Sequence, residues 1–149
     1  MKAVVQRVLG AKLEVEGKLI SQIERGFVVF LGVGKGDEIA DLQKLGGKLA
    51  KLRIFEDENE RMNLSIKDVG GQILLVSQFT LFADCKHGNR PSFFEAESPD
   101  RANQLYQEMQ QFLQNEGITV QMGVFGADMK ITAINDGPVT ILIDSKDLK

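Results

Sequence analysis

Ser77-Gln78-Phe79-Thr80-Leu81 closes the apolar run Ile73-Leu74-Leu75-Val76 with polar side chains, and the end of a buried strand is a common place for catalytic groups. Ser77 or Thr80 could act as a nucleophile, and the backbone N–H groups near Gln78 and Phe79 could hold an oxyanion. The same residues also fit a plain strand with Gln78 and Thr80 facing water. A second feature is Asn135-Asp136-Gly137-Pro138, set between two β-branched-rich runs, Met129–Ile134 and Val139–Ile143. Proline has no N–H for a ladder, so Pro138 must stand at a tip, an edge or a kink. The bond before a proline is also the one peptide that adopts cis cheaply. A cis Gly137–Pro138 bond would turn consecutive carbonyl oxygens to one side, toward a partner. The plainer reading is a hairpin turn, because Asp136-Gly137 is a standard turn pair.

Other candidates are weaker. His87, the only histidine, sits in the polar stretch Asp84-Cys85-Lys86-His87-Gly88-Asn89-Arg90-Pro91. With Ser77 it could form a Ser-His-Asp arrangement, and with Cys85 a metal pair. Neither has supporting spacing, and two soft ligands fall short of a closed zinc site, so a solvated loop histidine and no bound metal are expected. Lys86 and Arg90 in the same stretch could contact phosphates, which positions a nucleic acid without reading it. Gly32-Val33-Gly34-Lys35-Gly36 has the look of a dinucleotide loop. Asp37, however, stands where the third glycine should be, and its charge would repel pyrophosphate, leaving a strand-to-helix turn. Glu56-Asp57-Glu58-Asn59-Glu60 lacks the glycine and spacing of a calcium loop and reads as a solvated hairpin tip.

The elements that must position these residues follow from periodicity. Leu9 to Val15 alternates, with Ala11, Leu13 and Val15 on one face, and Gly17 turns it into Leu19–Ile23, a hairpin. Phe27–Leu31 has no polar alternation and reads as a strand buried on both faces. Further strands are expected at Arg53–Phe55, Gln72–Val76, Gln78–Phe82, Ile118–Met122 and on both sides of Gly137-Pro138. One helix carries Ile39, Leu42, Leu45, Leu49 and Leu52 on one face, with Gly46-Gly47 suggesting a close backbone contact. A second has Ser98 as N-cap, Pro99 at its first position, a core stripe from Ala102 to Leu113 and Gly117 beyond its end. The fold expected is α/β: two packed mixed β-sheets with helices covering one face, a three-layer α/β/β arrangement in a single domain, residues 1–149.

With 149 residues and 43% hydrophobic content the chain can build a real core. A net charge of −3 rules out bulk electrostatic capture of nucleic acid, so any RNA must be held by a local basic patch. Cys85 is the only cysteine, which excludes an internal disulfide and fits a reducing compartment. Met1–Val8 has no apolar stretch of signal-peptide length, and no run approaches the roughly 18 apolar residues of a membrane span. A cytoplasmic chain without a membrane partner is expected.

Ser77-Gln78-Phe79-Thr80-Leu81 together with Asn135-Asp136-Gly137-Pro138-Val139-Thr140 resembles the two signature motifs of D-aminoacyl-tRNA deacylases. Ala3–Val8, Leu52–Phe55, Met62-Asn63-Leu64-Ser65 and Arg90-Pro91-Ser92-Phe93 look like the same family, so the resemblance runs the whole chain. Cys85-Lys86-His87 is its least family-like piece, a departure that touches RNA affinity more than chemistry. The resemblance implies hydrolysis of the ester joining a D-amino acid to the 3′-terminal ribose of tRNA, without a cofactor. It also implies a homodimer with its active site at the subunit interface. The Gly–Pro step, cis in the family, would enter the partner's pocket, so Gly137-Pro138 would face Ser77, Gln78, Phe79 and Thr80 of the other subunit. Arg7 would brace the Gly–Pro loop.

Two other classes compete with this reading. A non-catalytic RNA- or peptide-binding module would use Lys86, Arg90 and neighbouring lysines for phosphates. A small-molecule esterase would turn over free D-amino-acid esters without RNA, and the acidic charge balance favours it mildly.

Overall fold

The computed structural model describes residues 1–149. In chain order the elements are β1 (Lys2–Val15), β2 (Lys18–Ile23), β3 (Gly26–Gly32), α1 (Ile39–Lys51), β4 (Phe55–Glu56) and β5 (Met62–Leu64). Then come β6 (Gln72–Ser77), a 3-10 turn (Phe79–Phe82), α2 (Pro99–Asn115), β7 (Thr119–Met122), β8 (Lys130–Asp144) and a last 3-10 turn (Ser145–Asp147).

One six-stranded sheet, ordered β2-β1-β3-β6-β7 with β8 on the other side of β1, holds the molecule together. β1 serves two neighbours in turn: Lys2–Val8 pairs antiparallel with β3, and Ala11–Val15 pairs antiparallel with β2. β3–β6 and β6–β7 are parallel, so the directions are mixed. Alternate side chains of the central strands go to opposite faces. Phe27, Val29, Leu31, Ile73 and Leu75 join the core under α1 and α2. Val28, Leu74 and Val76 join a second core with Val8, Ala11, Leu13 and Ile23, against which Met129 and Ile131 also pack. The far half of β1, with β2 and the start of β8, therefore folds back over the sheet as a third layer. Burial on both faces explains why Phe27–Leu31 and Ile73–Val76 are unbroken apolar runs. The expected α/β/β layering is present; its two β layers are halves of one bent sheet, and the only separate sheet is the β4–β5 ribbon.

The helices follow their sequence grammar. In α1, Leu42, Leu45 and Leu49 are buried, and Asp41 accepts the Glu38 N–H at 2.9 Å, closing the first turn. α2 begins on Ser98 with Pro99 in its first turn, and Gly117 beyond it takes φ +86°. The two helices meet at Gly46, where an added Cβ would lie 2.6 Å from the Phe112 ring; at Gly47 it would meet nothing within 4 Å. The close contact expected of the pair belongs to Gly46 alone.

Three sequence expectations change. Gln78–Phe82 is not a strand: Gln78 donates the last ladder bond, to Leu31 O at 2.8 Å, and β3 ends one residue later. With no partner left the chain coils, Leu81 N bonding Gln78 O and Ala83 N bonding Thr80 O. Arg53–Phe55 shifts to Phe55–Glu56, because only those residues find β5. The hairpin reading of Asp136-Gly137 also fails. The runs on either side of Pro138 do not pair with each other; both pair antiparallel with β1, as successive parts of β8. The register passes from Val8↔Asn135 to Gln6↔Thr140, so Asp136–Val139 bulge out opposite Arg7. No helix is long and apolar enough to cross a membrane.

Candidate active site

β6 carries Ser77 at its carboxyl end, beside Leu31 of β3, and the chain leaves the strand through Gln78 into the 3-10 turn. There Ser77, Gln78 and Phe79 form one wall of a cavity of about 790 Å³. The facing wall comes from the start of α2, with Pro99, Ala102 and Tyr106, and from Ala127-Asp128-Met129. Phe93 and Phe94 close the rim: Phe79 meets Phe93 edge-on with ring centroids 5.0 Å apart, and the Lys35 ammonium lies 3.4 Å from the Phe94 centroid. Thr80 is exposed beside this wall, and its hydroxyl accepts a hydrogen bond from the Gln78 side-chain amide. That amide has no lone pair with which to take the Thr80 proton. The Gln78 backbone N–H is engaged with Leu31, so it is not an oxyanion donor. Phe79 and Thr80 open the 3-10 turn, and the turn's own carbonyls cannot reach their N–H groups. Those two N–H groups are the donors the segment has to offer.

Tyr106 ties the two walls together. Its buried hydroxyl donates to Leu75 O at 2.7 Å and accepts from Gly123 N at 3.1 Å, tying α2 to the ends of β6 and β7. Burial pushes the phenol up to about 12, opposed by the Gly123 N–H. Sequence periodicity placed Tyr106 only as a core residue. The available signal was a lone tyrosine in an apolar stripe, since a buried phenol must find a partner.

The second group forms elsewhere, around Arg7. This side chain is buried, 4% exposed, in a strand otherwise apolar on that side. Its Nε donates to Asp136 O at 3.1 Å and its Nη1 to Ile54 O at 2.7 Å, while the Asp136 and Glu56 carboxylates lie 3.5 and 3.7 Å away. The bulge is also closed from within, with Asn135 Oδ1 accepting the Val139 N–H and Asn135 Nδ2 donating to Thr140 Oγ1, each at 2.9 Å. The Gly137–Pro138 peptide is cis and both residues are exposed. Gly137 has φ +132°, and a Cβ there would sit 2.7 Å from Val139 Cγ2 and 3.2 Å from Arg7 Nη2, so only glycine fits. Neither Gly137, Pro138 nor Arg7 lines the cavity at the end of β6.

The remaining candidates fall into place as local structure. Lys86, His87 and Arg90 are exposed in a loop pinned by Asp84 and Ser92, whose backbones bond at 2.7 and 2.9 Å. Asp37 is buried, accepting the Gly34 N–H at 2.7 Å and pairing with the Met1 ammonium at 2.7 Å, which makes Gly34–Asp37 a closed turn after β3. At the β4–β5 tip, Asp57 accepts the N–H groups of Asn59 and Arg61, and the Arg61 bond, then the Asn59 bond, hold its carboxyl below the ordinary range.

Comparison with known proteins adds a chain-wide similarity. A family model described as D-Tyr-tRNA(Tyr) deacylase matches residues 4–144. A D-aminoacyl-tRNA deacylase of Alkaliphilus metalliredigens (strain QYMF) is 54% identical over 146 residues, covering 98% of each chain. That of Thermosipho africanus (strain TCF52B) is 52% identical over 146 residues, again 98% of each. Among solved structures, the c-Myc DNA Unwinding Element Binding Protein superposes with a TM-score of 0.89 at 40% identity, covering 97% of this chain and 98% of its own.

Proposed function

The chain belongs to the D-Tyr-tRNA(Tyr) deacylase family, and we propose that it hydrolyses the ester between a D-amino acid and the 3′-terminal ribose of tRNA, a proofreading step in translation. The match of residues 4–144 to that family carries the reading. The cavity lined by Ser77, Gln78 and Phe79, beside the start of the 3-10 turn, supports it.

An aminoacyl ester is already activated, so a strong nucleophile is not needed. Water attacks the carbonyl, helped by the terminal 2′-hydroxyl of the RNA, and the N–H groups of Phe79 and Thr80 hold the oxyanion. Loss of one such donor costs about 2.7–4 kcal/mol in other hydrolases. A covalent route through Thr80 ranks lower, because the group bonded to its hydroxyl is an amide donor rather than a base.

Selectivity comes from backbone. With the ester carbonyl and the ammonium both pinned, a D-residue and an L-residue differ only in where the side chain points. The main chain of Gly137-Pro138, supplied by the second subunit of a homodimer, occupies the L direction and accepts hydrogen bonds from the ammonium. Rejection by a rigid obstacle works on every L side chain alike. Glycine has no side chain to reject, so glycyl-tRNA is also hydrolysed. Arg7 and Asn135, which brace the bulge, supply the rigidity this requires. Lys86 and Arg90 contribute phosphate contacts.

Release of amino acid from D-Tyr-tRNA and L-Tyr-tRNA tests the assignment. D-selective release is expected. Binding without release points instead to a nucleic-acid-binding module, and turnover of free D-amino-acid esters without RNA points to a small-molecule esterase.

A further inference from the structure

We propose that a second cavity, beside the one at the end of β6, seats phosphodiester groups of the RNA whose ester is cleaved; this rests on the functional reading above. The cavity holds about 490 Å³ between the Gly34–Asp37 turn, the end of the 3-10 turn at Phe82, the Asp84–Lys86 stretch and the carboxyl end of β8. Four lysines from separate parts of the chain border it: Lys2, Lys35, Lys86 and Lys146. None has a carboxylate within ion-pair distance; the side-chain lysine pairs are made by Lys12, Lys67 and Lys130. Three of the four carboxylates on the same wall have partners, and one of them, Asp37, is neutralised by a cation. Asp37 holds the Met1 ammonium, Asp84 accepts the Lys86 N–H and Asp144 accepts the Lys146 N–H. Glu95 is the fourth acid. The apolar lining is limited to Phe82, Ala83 and Cys85, which disfavours an apolar ligand.

The arrangement is also partly ordered in advance. The Lys2 ammonium lies 4.7 Å from the Phe82 centroid and that of Lys35 lies 3.4 Å from Phe94, so both are held by ring faces. A chain of net charge −3 repels a polyanion overall; on this wall four lysines face three carboxylates that have no cation of their own, so the local balance is slightly positive instead. The two cavities adjoin. Lys35 lines both, and the Phe79–Phe82 turn runs from one to the other. An ester at Phe79 therefore leads the rest of its RNA toward the lysines.

The test compares Lys2→Gln/Lys146→Gln with Lys2→Arg/Lys146→Arg; neither lysine lines the first cavity. Affinity for uncharged tRNA is followed across salt concentrations, alongside turnover of D-Tyr-tRNA and of D-tyrosyl-adenosine, an ester with no phosphate. The Gln pair should bind tRNA roughly tenfold or more weakly at 0.1 M salt, with a log–log salt slope shallower by about 0.7–0.9 per lost contact. The Arg pair should keep both values, and the Gln pair should hydrolyse D-tyrosyl-adenosine like wild type. Wild-type tRNA affinity and slope in the Gln pair would overturn the proposal, as would an equal loss on both esters. If wild type releases no D-Tyr while the Gln pair still loses tRNA affinity, the hydrolase reading falls and the phosphate seat stands.

Discussion

At residue scale the division of labour in Ser77–Thr80 is set by which polar groups are already occupied. The Gln78 N–H belongs to the sheet and the Thr80 hydroxyl to the Gln78 side chain, so the proposed oxyanion donors are the first N–H groups of the turn. Thr80→Ala should therefore retain single-turnover hydrolysis of D-Tyr-tRNA within tenfold of wild type; a larger loss would revive the covalent route. Phe79→Pro removes one proposed donor at a position where proline's φ suits the start of a helical turn. It should lower kcat by about 10²–10³. Tyr106 makes a different prediction. Its phenol is raised from 10.0 to about 12, so the fold favours the neutral form. That contribution is complete below pH 10 and is lost as pH climbs from 10 through 12. Tyr106→Phe removes both bonds of the phenol and leaves the Gly123 N–H and Leu75 O only their mutual bond at 3.2 Å, so it should cost about 0.5–1.5 kcal/mol at pH 7. In urea unfolding, its deficit relative to wild type should narrow steadily above pH 10.

At element scale the α1–α2 contact separates two adjacent glycines that the sequence presents as equals. Gly47→Ala meets nothing and should stabilise the protein by up to about 1 kcal/mol through helix propensity. Gly46→Ala gains the same propensity but presses on the Phe112 ring and Met109 Sδ, an overpacking cost of about 1–3 kcal/mol. Its thermal midpoint should fall below that of Gly47→Ala; equal midpoints would mean that the helices separate freely. The pair illustrates what was legible in sequence. Helix ends, the β1–β2 hairpin and the doubly buried strands are written in local residue types, and they appear where expected. The curl of Gln78–Phe82 depends on where β3 stops, and the continuity of β8 depends on β1 being long enough to pair both of its parts. Those facts are non-local, and a window centred on Pro138 contains neither. The site divides in the same way. Ser77, Gln78 and Phe79 could be found as the polar end of an apolar run. The anchoring role of Tyr106 and the closure of the bulge by Asn135 needed the assembled fold.

At the scale of the whole molecule, one chain holds the two halves of the proposed site apart. Ser77–Phe79 line the cavity, and Gly137-Pro138 project from the bulge of an outer strand that pairs only with β1. β8 also carries Ile134 and Leu142 at 60% and 79% exposure, an apolar surface on the same strand as the bulge. A homodimer in which each bulge enters the other subunit's cavity would account for both features, and it has a consequence that a site within one chain does not share. Phe79→Pro disables the cavity half, and Gly137→Ala disables the bulge half, because a Cβ there meets Val139 and Arg7. Each variant alone should be nearly inactive. After subunit exchange in an equal mixture, about half of the dimers carry one variant of each kind, and each of these has one site built from two intact halves. D-Tyr-tRNA hydrolysis should then return to about a quarter of the wild-type level. If each site lay within one chain, every site in the mixture would contain a damaged half, and no activity would return.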